Sequence, residues 1–362
     1  MKTYQLPMTR DYVRHWDLKK AVQELLQNAI DSSAPFEHEF YECGGGMTGL
    51  AIRSRGVELP SSSLLLGSTS KAENDNAIGS FGEGYKIALL VLTRLSKRPV
   101  VLNNGVEWST SFEQSEAFGA EVLTIEEWPN KESESEGLAF HIEYLSEEDV
   151  AAIASSCLQM QSVDDIGKII KCPQGDILLD KPGQLFVNGL YVCETKHRYG
   201  YSIKPAFLKL ERDRQTVSNF DLSWVTKEMW FSTKEHKLMA QMIADGVPDM
   251  EYANYGAPEK VKDACVEHFT SVNPPDTQIA RSPEEVRDLK AAGASNPVYQ
   301  NPTYYSCVAT APSYTPPLKV IDIHTPSAVI KRWYEENKKY MPRLPQVALK
   351  KIISDSEKWT KK

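Results

Sequence analysis

Residues 18–32 have the sequence LKKAVQELLQNAIDS, in which apolar residues recur with the period of an α-helix. The spacing i, i+3, i+4, i+7, i+8 places them in one stripe, which predicts a helix with one buried face. The members of the stripe are Leu18, Ala21, Val22, Leu25, Leu26, Ala29 and Ile30. A second segment, YKIALLVLTRL at residues 85–95, is apolar nearly all round and predicts a fully buried helix.

The segments around these two helices have the patterns of strands and turns. Short apolar or alternating runs predict strands, with turns between them, at residues 36–42, 49–53, 98–108, 121–128 and 138–145. Residues 56–82 are rich in Gly, Ser and Asn and predict a long loop, a kind of segment that is often functional. Helices and strands in this arrangement predict an α/β fold for the N-terminal part of the chain.

The polar face of the 18–32 helix carries Glu24, Asn28 and Asp31, whose spacing of four and three residues points them within a narrow arc. A carboxylate at the edge of a buried face can activate a water molecule. The carbonyl oxygen of Asn28 is a ligand type that Mg²⁺ accepts. The same pattern also fits an ordinary solvated helix face, so these three residues alone do not establish a site.

Residues 79–84, GSFGEG, lead directly into the second predicted helix. Glycine lets a backbone approach a ligand closely, and the N–H groups of a helix start can bind phosphate. The spacing GxxGxG follows a polar loop rather than a strand, which argues against the dinucleotide-binding GxGxxG fingerprint. The chain has no GxxxxGK[ST] sequence, which excludes a standard P-loop.

In this order and spacing, ELLQNAID, a strand pair, LLLGSTSK and IGSFGEGYKIALLVL resemble the GHKL ATPase superfamily, roughly over residues 10–145. That superfamily includes the gyrase B subunit, ATP-driven heat-shock chaperones, histidine kinases, MutL and the MORC proteins. The resemblance implies a Bergerat-type α/β sandwich, with a mixed sheet and helices on one face, and a site for ATP and Mg²⁺. It implies that Glu24 is the general base for water attack on the γ-phosphate and that Asn28 binds Mg²⁺.

The resemblance also assigns the remaining nucleotide-binding residues. Residues 67–71, GSTSK, resemble the lid of MutL, and a lid over residues 67–84 would wrap the phosphates, to which Lys86 would add a positive charge. Gly137 takes the place of a family glycine near the adenine, although Leu138 replaces the usual threonine. The implied binding set is Asn28, Asp31, Ser54, Gly56, Thr69, Lys71, Gly79, Gly82, Gly84, Lys86 and Gly137.

One stretch departs from the family pattern. The family has a DxGxG box whose Asp reads the adenine amino group, whereas this chain has Ser54 there, keeps Gly56 and has Glu58 in place of the second glycine. A hydroxyl accepts a hydrogen bond from an amino group more weakly than a carboxylate does. The alternatives are weak ATP binding, another base, recognition through water or through Glu58, or a site that no longer turns over ATP.

The chain after residue 147 predicts two further parts. Strands at 176–180 and 184–194, the second folded into a hairpin at Asn188-Gly189, predict a second, transducer-like α/β domain, which continues into a helix over 223–243. Further on, the sequence predicts a helix over residues 282–293 that is capped by Ser282. Residues 296–317 are predicted to be part strand and part loop. The predicted domains are a nucleotide-binding domain at 1–147, a second α/β domain at 148–247 and an α-rich C-terminal region at 248–362.

Arg212 and Arg214 lie in a polar turn of the second predicted domain. In gyrase B, MutL and the chaperones, a second domain sends a basic residue to the γ-phosphate, where a cation neutralises developing charge. The resemblance therefore implies a catalytic role for one of these two arginines. A surface Arg–Asp cluster around Asp213 is the alternative interpretation.

Composition restricts the classes of partner. The 362 residues carry a net charge of −8, which does not favour binding of nucleic acid by bulk charge, although a local basic patch remains compatible with it. No run approaches the ~18 apolar residues of a membrane span, and the N-terminus lacks the apolar stretch of a signal peptide. The six cysteines are scattered without a CxxC pair, which fits reduced thiols. These features predict a cytoplasmic protein without a membrane partner, in the host cytoplasm if a phage encodes it.

Two functions from different classes fit these observations. The leading hypothesis is a Mg²⁺-dependent ATPase that acts as a nucleotide-gated conformational switch on a protein partner and, by resemblance, forms a nucleotide-dependent homodimer. The alternative is a non-enzymatic interaction or inhibitor protein of phage or mobile-element type on a degenerate GHKL scaffold, in which Ser54 marks lost adenine binding. Comparing ATP turnover by the intact chain with that of Glu24→Ala would separate the two.

Overall fold

The chain divides into two compact units in a computed structural model. Unit 1 comprises Met1–Thr195 and Tyr199–Ser218, and unit 2 comprises Lys196–Arg198 and Asn219–Lys362. The structure describes residues 1–32, 34–65, 84–130, 137–210, 217–292, 294–317 and 326–359. The strands of the predicted domain 148–247 belong to unit 1, whereas its helices after residue 219 belong to unit 2.

The first sheet of unit 1 is antiparallel in every pairing that the structure describes. Its strands are β1 (Lys2–Thr9), β2 (Phe36–Glu42), β3 (Thr48–Arg55), β4 (Arg98–Asn103), β5 (Val106–Ser115), β6 (Ala120–Pro129) and β7 (Gly137–Leu145). They lie in the order β1-β6-β5-β4-β7-β3-β2. Short turns join β2 to β3, β4 to β5 and β5 to β6. Connections this short can join only antiparallel strands, because parallel strands need a longer crossover. The predicted α/β class is confirmed, but this sheet is antiparallel where the resemblance implied a mixed one.

Helices cover one face of this sheet. The helices of unit 1 are α1 (Leu18–Asp31), α2 (Gly84–Arg94), α3 (Glu147–Ser155) and the short α4 (Val163–Ile166). Leu50 and Ile52 of β3 alternate along the strand, and both join the core formed with α1, α2 and α3. Arg53, the next residue along β3, points to the other face and pairs there with Glu39 of β2, at 2.9 Å. The helices-on-one-face arrangement is thus as predicted.

A second sheet completes unit 1 and contains the predicted hairpin. Its strands are β8 (Ile169–Cys172), β9 (Gly175–Leu178), β10 (Gln184–Val187), β11 (Leu190–Glu194) and β12 (Gly200–Ile203). Their order is β11-β10-β12-β9-β8, with β10 and β12 parallel and the other pairs antiparallel. Asn188 and Gly189 connect β10 to β11 with φ angles of +51° and +82°, as a tight hairpin turn requires.

Unit 2 is mostly helical, with a small parallel sheet. Its elements are α5 (Asn219–Phe231), α6 (His236–Asp245), α7 (Glu259–Val272), β13 (Thr277–Ala280), α8 (Pro283–Ala291), β14 (Asn296–Tyr299), α9 (Pro302–Ala309), α10 (Pro326–Asn337) and α11 (Arg343–Trp359). Helix α8 joins the parallel strands β13 and β14, and Ser282 caps it by accepting a hydrogen bond from the Glu285 N–H. In the described part of the chain, no helix combines the length and the apolar character needed to cross a bilayer.

Two predictions about unit 2 were wrong in detail. The single helix predicted over 223–243 is two helices, because the Ser232 and Thr233 hydroxyls donate to backbone carbonyls at the end of α5 and the chain turns there. The predicted strand and loop at 296–317 contain a helix, α9. Asn301 caps that helix by accepting from the Tyr304 N–H at 2.9 Å, and a proline occupies its first turn.

Candidate functional site

The polar stripe of α1 is largely buried. The Glu24 side chain is 6% exposed and Asp31, at the end of the helix, is 9% exposed. The Asn28 amide nitrogen donates a hydrogen bond to the Glu24 backbone carbonyl at 2.8 Å. Because this bond uses the amide nitrogen, the carbonyl oxygen of Asn28 is the atom that suits a hard cation. A purely solvated helix face would leave these side chains in water, so burial favours a functional interpretation of the stripe.

The first residue of α2 lies directly against this stripe. A Cβ atom built on Gly84 would lie 2.1 Å from Glu24 Oε2 and 3.8 Å from Asn28 Nδ2. Only a residue without a side chain allows the two helices to approach so closely at this point. The fold therefore brings together Glu24, Asn28 and Gly84, which the sequence places 60 residues apart at the extremes. Backbone N–H groups at a helix start are suited to bind phosphate, and this start is next to a buried carboxylate and an amide.

Three residues predicted to lie near the adenine also come together, at the end of the β3–β7 pair. Ser54 pairs with Leu138, and Arg55 pairs with Gly137. Gly137 has a φ angle of +128°, and a Cβ there would lie 2.4 Å from the Ser54 carbonyl oxygen and 3.1 Å from the Gly56 nitrogen. Both the backbone conformation and the space therefore require glycine at 137.

Glu58 lies at an exposed position beyond this strand end. Its Oε2 accepts a hydrogen bond from Asn104 Nδ2 at 3.2 Å. The next residue, Leu59, is held by Asn103, whose side-chain amide both accepts from the Leu59 N–H and donates to the Leu59 carbonyl. These contacts fix the segment to the β4–β5 turn. Ser54, in contrast, is 6% exposed, and so is a buried polar residue at this end, as is Asn103 at 4%.

Lys86, to which the resemblance gives a charge near the phosphates, has backbone partners within the protein. Its side chain is fully buried, and its ammonium donates to the backbone carbonyls of Ser63, at 2.8 Å, and of Leu65. The neighbouring Tyr85 hydroxyl also donates to the Ser63 carbonyl, at 2.9 Å, and burial raises the pKa of Tyr85 to about 12. The first turn of α2 thus holds the helical turn Ser61–Leu64. Lys86 stabilises that turn, because a buried ammonium needs acceptors within hydrogen-bond distance.

Glu24 also lines a cavity of about 230 Å³. Its wall includes Lys19, Lys20 and Gln23 of α1, together with Tyr191 of β11 and Leu210, and all of these residues belong to unit 1. Leu210 comes two residues before Arg212 in the sequence. The predicted catalytic arginines Arg212 and Arg214, like Thr69, Lys71, Gly79 and Gly82, lie outside the described residues.

Two residues of this cavity connect α1 to the second sheet. Gln23 Nε2 donates to the Tyr191 carbonyl at 2.9 Å and to the Ser156 carbonyl at 3.3 Å. Lys19 Nζ lies 4.2 Å from the centroid of the Tyr191 ring, and burial lowers the pKa of Lys19. Neither residue was predicted from the sequence to be functional, because a local sequence pattern does not indicate a contact with a residue ~170 positions away.

The described residues contain no group of three or more His, Cys, Asp or Glu side chains that could hold a metal ion by themselves. Mg²⁺ is commonly bound by one or two protein oxygens together with substrate phosphates and waters, rather than by a complete protein cage. Asn28 beside the start of α2 fits that mode of binding, because the phosphates would supply the remaining ligands. A metal that needs a full set of protein ligands does not fit the described part of the site.

Comparisons with known proteins give distant similarities. No known protein-family model matches the chain. Over 215 residues, or 56% of this chain, the sequence is 24% identical to an uncharacterised protein of Mycoplasma pneumoniae, and the match covers 86% of that protein.

Among solved structures, the chain is similar to the ATPase region of Saccharomyces cerevisiae topoisomerase II, with a TM-score of 0.33 and 10% identity over 48% of this chain. It spans 62% of that structure, less than two thirds of its length. It is also similar to the B subunit of Myxococcus xanthus DNA gyrase, with a TM-score of 0.30 and 11% identity over 56% of this chain and 84% of the other.

Proposed function

We propose that this protein binds and hydrolyses ATP with Mg²⁺ at the site formed by α1, the start of α2 and the β3–β7 strand end. The observation that carries the proposal is the close approach of Gly84 to Glu24 and Asn28. A base, a cation ligand and a helix start meet there, and this is the set of groups that phosphoryl transfer to water needs. The distant likeness to ATPase regions is compatible with the proposal and does not carry it.

Each residue has a distinct task in the proposed reaction. Glu24 accepts a proton from the attacking water, which forms a bond to the γ-phosphorus while the bond to the β,γ-bridging oxygen breaks and ADP leaves. The carbonyl oxygen of Asn28 would ligate Mg²⁺, and the cation would neutralise charge on the phosphates. The burial of Glu24 keeps bulk water away from the carboxylate. Its hydrogen bond to the attacking water is therefore not weakened by competing solvent molecules.

The base of the nucleotide would lie towards Ser54, Gly56 and Gly137. The proposed contact is between the Ser54 hydroxyl and the exocyclic amino group of adenine, because Ser54 is a buried polar residue of that strand end and its hydroxyl can accept a hydrogen bond. A hydroxyl both donates and accepts, so it discriminates less between bases than a carboxylate does. We therefore expect this protein to prefer ATP over GTP less strongly than a site with Asp at this position would.

The proposed outcome of binding is a conformational switch. Gln23 and Glu24 are consecutive on α1, and Gln23 is hydrogen-bonded to the strand β11 of the second sheet. A change at the nucleotide therefore has a direct connection to a second element of unit 1. A protein partner or a second copy of this chain, as the superfamily resemblance implies, would read that change.

The decisive experiment is a calorimetric titration of the full chain with a non-hydrolysable ATP analogue, in Mg²⁺ and in EDTA. We expect Mg²⁺-dependent binding that Asn28→Ala weakens by about tenfold or more, since a charge-assisted ligand contact is worth about 1.5–3 kcal/mol. Asn296→Ala, which removes an exposed amide in unit 2, is the matched control and should leave binding unchanged. Glu24→Gln should keep binding and lower turnover by ~10²-fold or more.

A folded chain that gives no heat with ATP, GTP, CTP or UTP would refute the proposal. The alternative of a non-enzymatic interaction protein on a degenerate scaffold would then stand, with Ser54 as the mark of lost base recognition. Binding that is equally strong in EDTA would refute the role of Asn28 while leaving a nucleotide site in place.

A further inference from the structure

The functional stripe of α1 extends one turn further towards its N-terminus than Glu24. Lys20, Glu24 and Asn28 are each four residues apart, so their side chains leave the same face of the helix. One helical turn advances about 5.4 Å along the axis. The stripe therefore presents an ammonium, a carboxylate and an amide in succession, with Asn28 at the end nearer the predicted adenine position and Lys20 at the far end.

The cavity beside Glu24 gives Lys20 a place to act. Lys20 and Glu24 both line this space of about 230 Å³. If Glu24 activates the water that attacks the γ-phosphorus, then the terminal phosphate lies next to Glu24, at the boundary of this cavity. The Lys20 side chain would therefore reach the terminal phosphate rather than the base or the sugar of the nucleotide.

The two lysines that line the cavity differ in their surroundings. Lys19 Nζ lies over the Tyr191 ring of β11 at 4.2 Å, and burial lowers the pKa of Lys19. Lys20 is half-buried, and its ammonium lies 5.1 Å from the centroid of the Trp16 ring, just before the N-terminus of α1. The Asp17 carboxylate near it is used as the helix cap, accepting from the Lys20 N–H at 2.8 Å.

We propose that Lys20 binds the terminal phosphate of the nucleotide and so distinguishes a triphosphate from a diphosphate. The inference rests on the proposed function and deepens it. It places a phosphate-binding cation on α1 itself, in addition to any contribution from Arg212 or Arg214. The three members of the stripe then serve the terminal phosphate, the attacking water and the magnesium ion, and one rigid helix fixes their spacing.

The test is the ratio of the dissociation constants for ADP and for a non-hydrolysable ATP analogue, both measured in Mg²⁺ on the full chain. We expect Lys20→Met to weaken the ATP analogue by ~10-fold or more and to leave ADP within about twofold, since a charged hydrogen bond to phosphate is lost only with the triphosphate. Lys20→Arg keeps the charge and should retain most of the ratio. Lys171→Met, which removes an exposed lysine of β8, is the control and should not change it.

The outcomes separate the inference from the function on which it rests. A folded Lys20→Met protein with an unchanged ADP-to-ATP ratio overturns the role of Lys20 while leaving nucleotide binding intact. A selective loss with Lys19→Met instead of Lys20→Met also overturns it, because the cation would then be the other lysine. If the unaltered chain binds neither nucleotide, the proposed function fails first. Equal weakening of ADP and of the ATP analogue assigns Lys20 a structural role and refutes the inference.

Discussion

The substitution Gly84→Ala tests the geometry on which the site depends, whatever the ligand. The added Cβ would lie 2.1 Å from Glu24 Oε2 and 3.2 Å from Glu24 Cδ, whereas ordinary contact begins at 3.4 Å. The nearest oxygen is therefore 1.3 Å too close, and the carboxylate must leave its position. Glu24 is a flexible side chain but is 6% exposed, so it has to move within a packed environment.

Two opposing terms set the expected change in stability. Alanine is favoured over glycine within a helix by up to about 1 kcal/mol, and overpacking a buried contact costs about 1–3 kcal/mol. We expect Gly84→Ala to lower the free energy of unfolding by about 0–2 kcal/mol. The expected effect on ATP turnover is far larger, at ~10²-fold, because displacing a reacting group by about 1 Å has consequences of that size.

A double-mutant cycle isolates the contact. Glu24→Ala removes the carboxylate, and in that background Gly84→Ala has only its helix-forming advantage, so it should stabilise the protein. The difference between the two backgrounds, measured from urea unfolding curves, should be about 1–3 kcal/mol. If Gly84→Ala is equally neutral or stabilising with and without Glu24, and turnover is unchanged, then Glu24 does not lie against the start of α2.

Two further predictions follow from described contacts in unit 1. Gly137→Ala combines a φ of +128° with a Cβ 2.4 Å from the Ser54 backbone oxygen, which cannot move as a side chain can, so urea unfolding should show a loss of about 3 kcal/mol or more. Burial opposes ionisation of Asp149, yet hydrogen bonds from Lys97 and Ser146 hold its pKa below 3.8. Its contribution is therefore present above pH 3.8 and is lost as pH falls through the lowered value. Asp149→Asn should lower stability by about 1 kcal/mol at neutral pH and flatten the acid side of a stability-against-pH curve; an unchanged acid side would contradict this.

Features with a local signature were predicted well from the sequence. The helix predicted at 18–32 is α1 at Leu18–Asp31, and the one predicted at 85–95 is α2 at Gly84–Arg94. Both have apolar residues at helical spacing over more than ten positions, and such a pattern has few alternative structures. The Asn188-Gly189 hairpin was likewise found, because that dipeptide favours the two positive φ angles that the turn needs.

Features that depend on distant partners were not predicted. Strand β1, Lys2–Thr9, has the sequence KTYQLPMT and contains a proline, and it is a strand because it pairs with β6 more than 110 residues later. Residues 98–108 appeared as one strand, but Asn104-Gly105 divides them into β4 and β5, with positive φ angles at both positions. The apolar runs on each side masked a turn dipeptide that the sequence does contain.

The candidate site shows the same division between local and distant information. The spacing of Glu24 and Asn28 and the glycine at 84 are sequence-local, and the structure brings them together. The contacts of Lys86 were not predicted, because its partners, the carbonyls of Ser63 and Leu65, are backbone atoms that carry no sequence signal. A charge next to a glycine motif is as useful for holding a turn as for holding a phosphate.

The position of α1 explains how a small ligand could alter a larger surface under the proposed function. Glu24 lies against the start of α2, and the adjacent Gln23 is bound to the backbone of β11 at 2.9 Å. A rotation of α1 large enough to relieve or tighten the contact at Gly84 must also strain the hydrogen bonds of Gln23, since adjacent residues of a helix turn together. Gln23→Ala would remove this connection and leave Glu24 in place. A movement of the helix that carries the proposed chemistry would therefore be transmitted to the second sheet.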